Sequence, residues 1–109
     1  MVLRGTPRQK SYYVRYRDYI KNVASSEIYP TWEPAAIEAN VLAIISFALN
    51  RVYTEFYPSR GYDFQITSST AYDQKFIRGR NIFENISQVV DEIFNDYIRR
   101  KGFVEPLAA

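Results

Sequence analysis

DYIKNVASSEIYPTWEPAAIEANVLAIISFAL, residues 18–49, holds two helical signals of different character in one run. Asp18 suits a helix N-cap, and Ile20, Val23, Ala24 and Ile28 then recur at helical spacing until Pro30 ends the first helix. Thr31-Trp32-Glu33-Pro34 opens a second helix, with Pro34 in the first turn, where its missing amide proton would have had no partner. Ile37, Val41, Ile44, Ile45, Ala48 and Val52 make the inner stripe, while Leu42, Phe47 and Leu49 spread apolar character around the circumference. A helix apolar nearly all round reads as a core helix, covered on several sides.

Upstream of this run, Tyr12, Val14 and Tyr16 alternate with Tyr13, Arg15 and Arg17 as in a half-buried edge strand. Downstream, Tyr57-Pro58-Ser59-Arg60-Gly61 marks a turn and Tyr62 to Ile66 a short strand. Thr67 to Arg80 is polar, rich in hydroxyls and without period, so it reads as a long loop of the kind that carries function. Asn81 and Glu84 have capping-box spacing, and Ile82, Ile86, Val89, Val90, Ile93, Tyr97 and Ile98 form a helical stripe. Arg99, Arg100 and Lys101 then sit at the negative end of the helix dipole, and Gly102 suits the C′ position. The expected fold is α+β and helix-dominated, with three main helices at about 18–28, 33–56 and 82–101 and short strands near 12–16 and 62–66. Residues 1–11 read as a basic N-terminal segment and residues 12–109 as a single domain, with no internal repeat or linker.

Composition prunes the chemistry. The 109 residues include 10 Tyr, 7 Phe and 1 Trp but no His and no Cys. Serine-triad, cysteine-protease and thiolate or imidazole zinc chemistry are therefore excluded, leaving carboxylate, amine or hydroxyl chemistry, or binding alone. The N-terminus has charge but no apolar run of about 7–15 residues, so no signal peptide is read. Val41 to Leu49 is too short for a membrane span and contains Ser46. Net charge is only +2, yet Arg4, Arg8, Lys10, Arg15, Arg17 and Lys21 cluster near the N-terminus among tyrosines. Such an arm suits single-stranded nucleic acid, but the alternation of Tyr12, Val14 and Tyr16 favours a plain strand, and no nucleic-acid partner is expected.

Continuing the buried stripe of the first helix from Ile20, Val23 and Ala24 brings up Glu27, an acid where a Leu belongs. A carboxyl held against apolar neighbours is desolvated, which raises its pKa toward that of a general acid. The alternative is that the helix has frayed by Glu27 and the side chain points to water or caps the next helix. Trp32 could stack on a sugar face or anchor the start of the second helix. Asn40 and Ser46 suit local hydrogen bonds, and Asp63 and Asp73 could orient hydroxyls or form turns.

The same run resembles the opening motif of the stage II sporulation protein D family, which includes the amidase-enhancer (LytB-type) proteins. The matching residues are Tyr19, Ile20, Val23, Ser26, Glu27, Trp32, Pro34, Ala36, Ile37 and Ala39. Tyr62-Asp63 and the hydroxyl-rich stretch ending in Gln74 and Phe76 resemble the family's Tyr-Asp, Thr-rich and Gln-x-Tyr segment, and Ile86 to Gly102 the helix and turn after it. The resemblance implies peptidoglycan remodelling by a lytic transglycosylase acting on glycan strands that lack stem peptides, with Glu27 as catalytic acid and base. It further implies Tyr29, Trp32, Asn40, Asp63 and Gln74 as substrate-binding candidates and a cell-wall or extracytoplasmic location; Thr67 to Asp73 offers neither His nor Cys, so no metal and no cofactor are expected. The partners implied are peptidoglycan glycan strands and other cell-wall hydrolases, and the alternative function is a non-catalytic glycan-binding or amidase-enhancer module. Two departures stand out: Asn40 occupies the family's Gln position, and Ile45-Ser46 replaces its Arg-Thr, which removes a substrate-clamping guanidinium. The family also continues past the residues matching Gly102 to Pro106, which leads to the expectation of a C-terminally truncated domain with an apolar face of its last helix uncovered.

Overall fold

The computed structural model describes residues 1–5 and 11–101, apart from the side chains of 97, 98, 100 and 101. Arg8, Lys10 and Gly102 of the sequence reading lie outside the described residues. In chain order the elements are β1 (Val2–Arg4), β2 (Tyr12–Tyr13), α1 (Tyr16–Glu27), α2 (Pro34–Tyr53), a 3₁₀ turn (Pro58–Arg60), β3 (Ile66–Thr67) and α3 (Glu84–Lys101). The helix-dominated α+β reading holds.

α1 starts two residues earlier than expected. Its N-cap position is Arg15, in extended conformation, and Asp18 sits in the first turn, where its charge favours the positive end of the dipole. Tyr16 thus belongs to the helix and not to a strand, and the edge strand shrinks to Tyr12–Tyr13. The helical phase buries Tyr16, Tyr19, Ile20, Val23 and Ala24 on one side. Rings extend that contact: Tyr16 meets Phe94 of α3 edge-on at 5.6 Å, and Tyr19 stacks on Phe76 at 5.6 Å.

Pro34 opens α2 as its sequence position predicts. The helix stops at Tyr53, three residues short of the expected end, in a Schellman arrangement. The amide of Phe56 donates to the Arg51 carbonyl and that of Glu55 to Val52, with Glu55 at φ 50° in the left-handed region usually given to glycine. Only one side of α2 is buried, by Ile37, Val41, Ile44, Ala48 and Val52. Leu42 and Phe47 remain 46% and 37% exposed, so the expectation of a helix covered on several sides is corrected. Apolar composition records what a face could bury, whereas the elements packed on α2 here, α1, α3 and β3, cover one side of it. Among the described residues an uncovered apolar face lies on α2, while Ile86, Val90 and Phe94 of the last helix are buried. By length and composition α2 would suffice to cross a membrane, which the count from Val41 to Leu49 understated; the core helix of a soluble protein meets the same criterion.

The strand signal was weakest at the chain start. β1 is the central strand of a three-stranded sheet, antiparallel to β2 (Val2 opposite Tyr13, Leu3 opposite Tyr12) and parallel to β3 (Leu3 opposite Ile66, Arg4 opposite Thr67). Met1, Leu3 and Ile66 are buried with the helix side chains in one core. The second strand lies at Ile66–Thr67, at the end of the stretch expected to form it. α3 starts at Glu84 and not at about 82; the amide of Ser87 bonds to the carbonyl of Phe83, which places the helix entry two residues beyond the expected cap Asn81.

Candidate functional site

The second half of α1 presents a row of polar side chains to the segment that follows β3. Asn22, buried among apolar neighbours, clamps Ile77 through both backbone groups: its Nδ2 donates to the carbonyl at 2.8 Å and its Oδ1 accepts from the amide at 2.9 Å. Ser25 accepts from the amide of Phe83, and Ser26 accepts from Arg80 while donating to the Asn22 carbonyl. Glu27, the last residue of α1, accepts the amide of Lys75 on Oε2 at 3.0 Å. A segment without regular structure is thereby held by side chains in place of a ladder, which satisfies backbone groups that would otherwise go unpaired.

Beside this rail lies an open groove of about 280 Å³, lined by Glu27, Ile28, Asn40, Ala43, Ile44, Phe47 and Gln74. It runs between the end of α1, the uncovered side of α2 and the loop after β3. Three of the six sequence candidates, Glu27, Asn40 and Gln74, come together here although 47 positions separate the first from the last. Glu27 is the only acid among the lining residues.

Glu27 is exposed, which corrects the reading of a carboxyl buried on the α1 stripe. The helix ends there, and Ile28 turns to extended backbone (φ −116°, ψ 136°), so the stripe passes to Ile28 while Glu27 faces the groove. Gln74 is buried on the floor with its amide satisfied: Oε1 accepts the Tyr19 hydroxyl at 2.9 Å, and Nε2 donates to the Ile44 carbonyl at 3.1 Å. Burial first, then nearby Asp73, pushes the Tyr19 phenol upward, so it stays a donor to Gln74. Asn40 donates to the Ala36 carbonyl one turn back, and Ser46 likewise turns to Leu42. Tyr29 and Trp32 are exposed on the turn after Glu27, their rings 6.0 Å apart and tilted by 58°. Asp63 is exposed and does not line the groove.

Asp73, read as a turn former, carries more. Its fully buried carboxylate accepts Arg51 Nε at 3.0 Å on Oδ1, and the Tyr57 hydroxyl (2.6 Å), the Thr67 amide (3.0 Å) and the Thr67 hydroxyl (2.6 Å) on Oδ2. Burial and the bond to Asp73 push the Tyr57 phenol up to about 12. Arg51 also donates to the Tyr72 carbonyl and lies 3.8 Å from the centre of the Phe56 ring. Among the described residues no three acidic side chains gather in a way that could hold a metal ion.

The residues of α1, the turn to α2 and the loop after β3 that build this groove are those covered by a family match. The family model of the stage II sporulation protein (SpoIID) matches residues 6–97. The chain belongs to the SpoIID family. Membership ties it to a sporulation-related, cell-wall function. No curated protein and no solved structure matches the chain. Within the SpoIID domain, Tyr19, Ile20, Val23 and Ile37 are core, while Glu27, at the end of α1, lines the groove.

Proposed function

We propose that this SpoIID domain remodels peptidoglycan by cleaving peptide-free glycan strands in the groove, with Glu27 as the sole acid and base. The supporting observation is the groove itself: one carboxyl among amide and apolar groups, and no second acid on its lining. Ordinary glycoside hydrolysis uses two carboxyl groups, one of them for water or for a covalent intermediate. A lytic transglycosylase needs one. Glu27, protonated, gives its proton to the glycosidic oxygen as the bond to the anomeric carbon breaks. The carboxylate then takes the proton of the sugar's own 6-hydroxyl as that oxygen closes on the anomeric carbon, which leaves a 1,6-anhydro end and a protonated Glu27. Asn40 is the exposed amide on the groove lining for hydroxyls, and Tyr29 and Trp32 add an aromatic surface on the turn after Glu27, suited to the apolar faces of sugar rings.

A second reading is favoured by a specific feature: Ile45 and Ser46 stand where the family carries Arg-Thr, and Ser46 is turned onto its own helix. The groove then binds glycan, or assists another hydrolase, without cleaving. Denuded glycan strands incubated with the wild type and with Glu27→Gln separate the two. Cleavage gives 1,6-anhydro ends by mass spectrometry with the wild type only. Equal yields from both proteins overturn the catalytic role, and co-sedimentation with purified peptidoglycan that survives Glu27→Gln identifies the binding module.

A further inference from the structure

Asp73 does not line the groove, yet it ties the loop that frames it to α2, to the turn after α2 and to β3. Its four donors come from α2 (Arg51), the turn after α2 (Tyr57) and β3 (Thr67). The next residue, Gln74, bridges α1 and α2 through Tyr19 and Ile44, and the one after it, Lys75, places its amide on Glu27. We propose that Asp73 is the positioning residue for Glu27, acting through Gln74 and the Lys75 amide; the inference rests on the acid/base reading of Glu27 and deepens it. The Lys75 amide commits Oε2 of the carboxyl, and Oε1 carries no hydrogen bond from the described residues. One oxygen is therefore anchored while the other exchanges the proton. An exposed side chain at a helix end, left alone, would sample several rotamers, and a single hydrogen bond from a rigid loop selects one of them. The saturation of Asp73 makes that loop rigid: a buried carboxylate with four donors has no competing arrangement of comparable energy.

The test is a pH titration of the Lys75 amide by ¹H–¹⁵N NMR on the whole chain. In the wild type this amide is expected to show one titration step, which vanishes in Glu27→Gln. In Asp73→Asn and Tyr57→Phe the step shrinks at least about two-fold, and kcat on denuded glycan falls about ten-fold with KM held. If Asp73→Asn does not fold, Tyr57→Phe decides, since it removes one donor and no bulk. A Lys75 step of full amplitude in the folded variants overturns the proposal, as does a wild-type amide that does not titrate. If the amide behaves as expected while wild type and Glu27→Gln are equally inactive, the acid/base reading fails and Asp73 stands as the positioning residue of a binding groove.

Discussion

Replacing Arg51 with Met keeps an unbranched apolar stem on α2 and removes the guanidinium from Asp73. The two side chains are 18% and 0% exposed, so the carboxylate left behind cannot turn to water. Removing one partner of a buried pair costs about 3–5 kcal/mol, because the remaining charge is uncompensated. Asp73 retains Tyr57 and both Thr67 donors, which places the loss at the low end, and the lost stacking on Phe56 adds about 0.5–1 kcal/mol. The expected total is about 3–4 kcal/mol, a large share of the roughly 5–15 kcal/mol available to a domain of this size. Urea unfolding followed by far-UV circular dichroism reads it as a lower midpoint at constant slope. Arg51→Met combined with Asp73→Asn is expected to be more stable than Arg51→Met alone, since the double variant removes the stranded charge as well. A loss below about 1 kcal/mol for the single variant, or simple additivity in the double, would refute the account of Asp73 as a buried charged hub. Arg99, paired with Asp96 at 2.7 Å but 75% exposed, is the contrasting case, and its replacement by Met should leave the midpoint within error.

Glu55→Gly relieves a left-handed backbone that costs an L-residue about 1–2 kcal/mol, against a glycine entropy cost of about 0.5–1 kcal/mol, so the urea midpoint should hold or rise slightly. Loss of stability there would mean that the Glu55 side chain contributes more than its backbone costs. In alkali, Tyr57 keeps its proton in the folded state up to about pH 12 but only to about 10 when unfolded, so its contribution is present below pH 10 and is lost as pH rises through 12. Tyr16 and Tyr19, pushed further up by burial, prolong the loss. Midpoints measured in steps of pH should fall over this range, less steeply in Tyr57→Phe, alongside tyrosinate absorbance appearing late for these rings.

The helices were legible because their signal is local. Ile20, Val23 and Ala24, or Ile86, Val90 and Phe94, report a buried face within one or two turns, and Pro34 reports a start. Ends were less legible where they depend on backbone hydrogen bonds, as at Glu55, where a left-handed turn is taken without glycine. β1 was not legible: three residues next to a basic stretch carry no alternation, and what makes them a strand is pairing with Tyr12–Tyr13 and Ile66–Thr67. For the site, Glu27, Asn40 and Gln74 line one groove, but burial of Glu27 does not follow from helical phase at a helix terminus. Asn22 could have been noticed as a polar residue between Tyr19 and Val23 on a buried face. The weight on Asp73 could not, since its partners are Arg51, Tyr57 and Thr67 and nothing in their spacing announces the meeting.

The parallel pairing of β1 with β3 also governs the order in which the molecule can be assembled. Val2 and Gln65, joined by a hydrogen bond from the Val2 amide to the Gln65 side chain, are 63 positions apart. At about 5–20 residues per second, a nascent chain exposes Leu3 for several seconds before Ile66 is made. The α1 and α2 helices can collapse on each other in that interval, but the sheet closes late, because the chain between β1 and β3 must be gathered first. Thr67 enters the Asp73 cluster directly from β3, so the segment bearing Gln74 and Lys75 takes shape only after that closure. Glu27 thus depends for its anchored geometry on that closure, and a chain with its helices formed but its sheet open would hold the acid without holding the site.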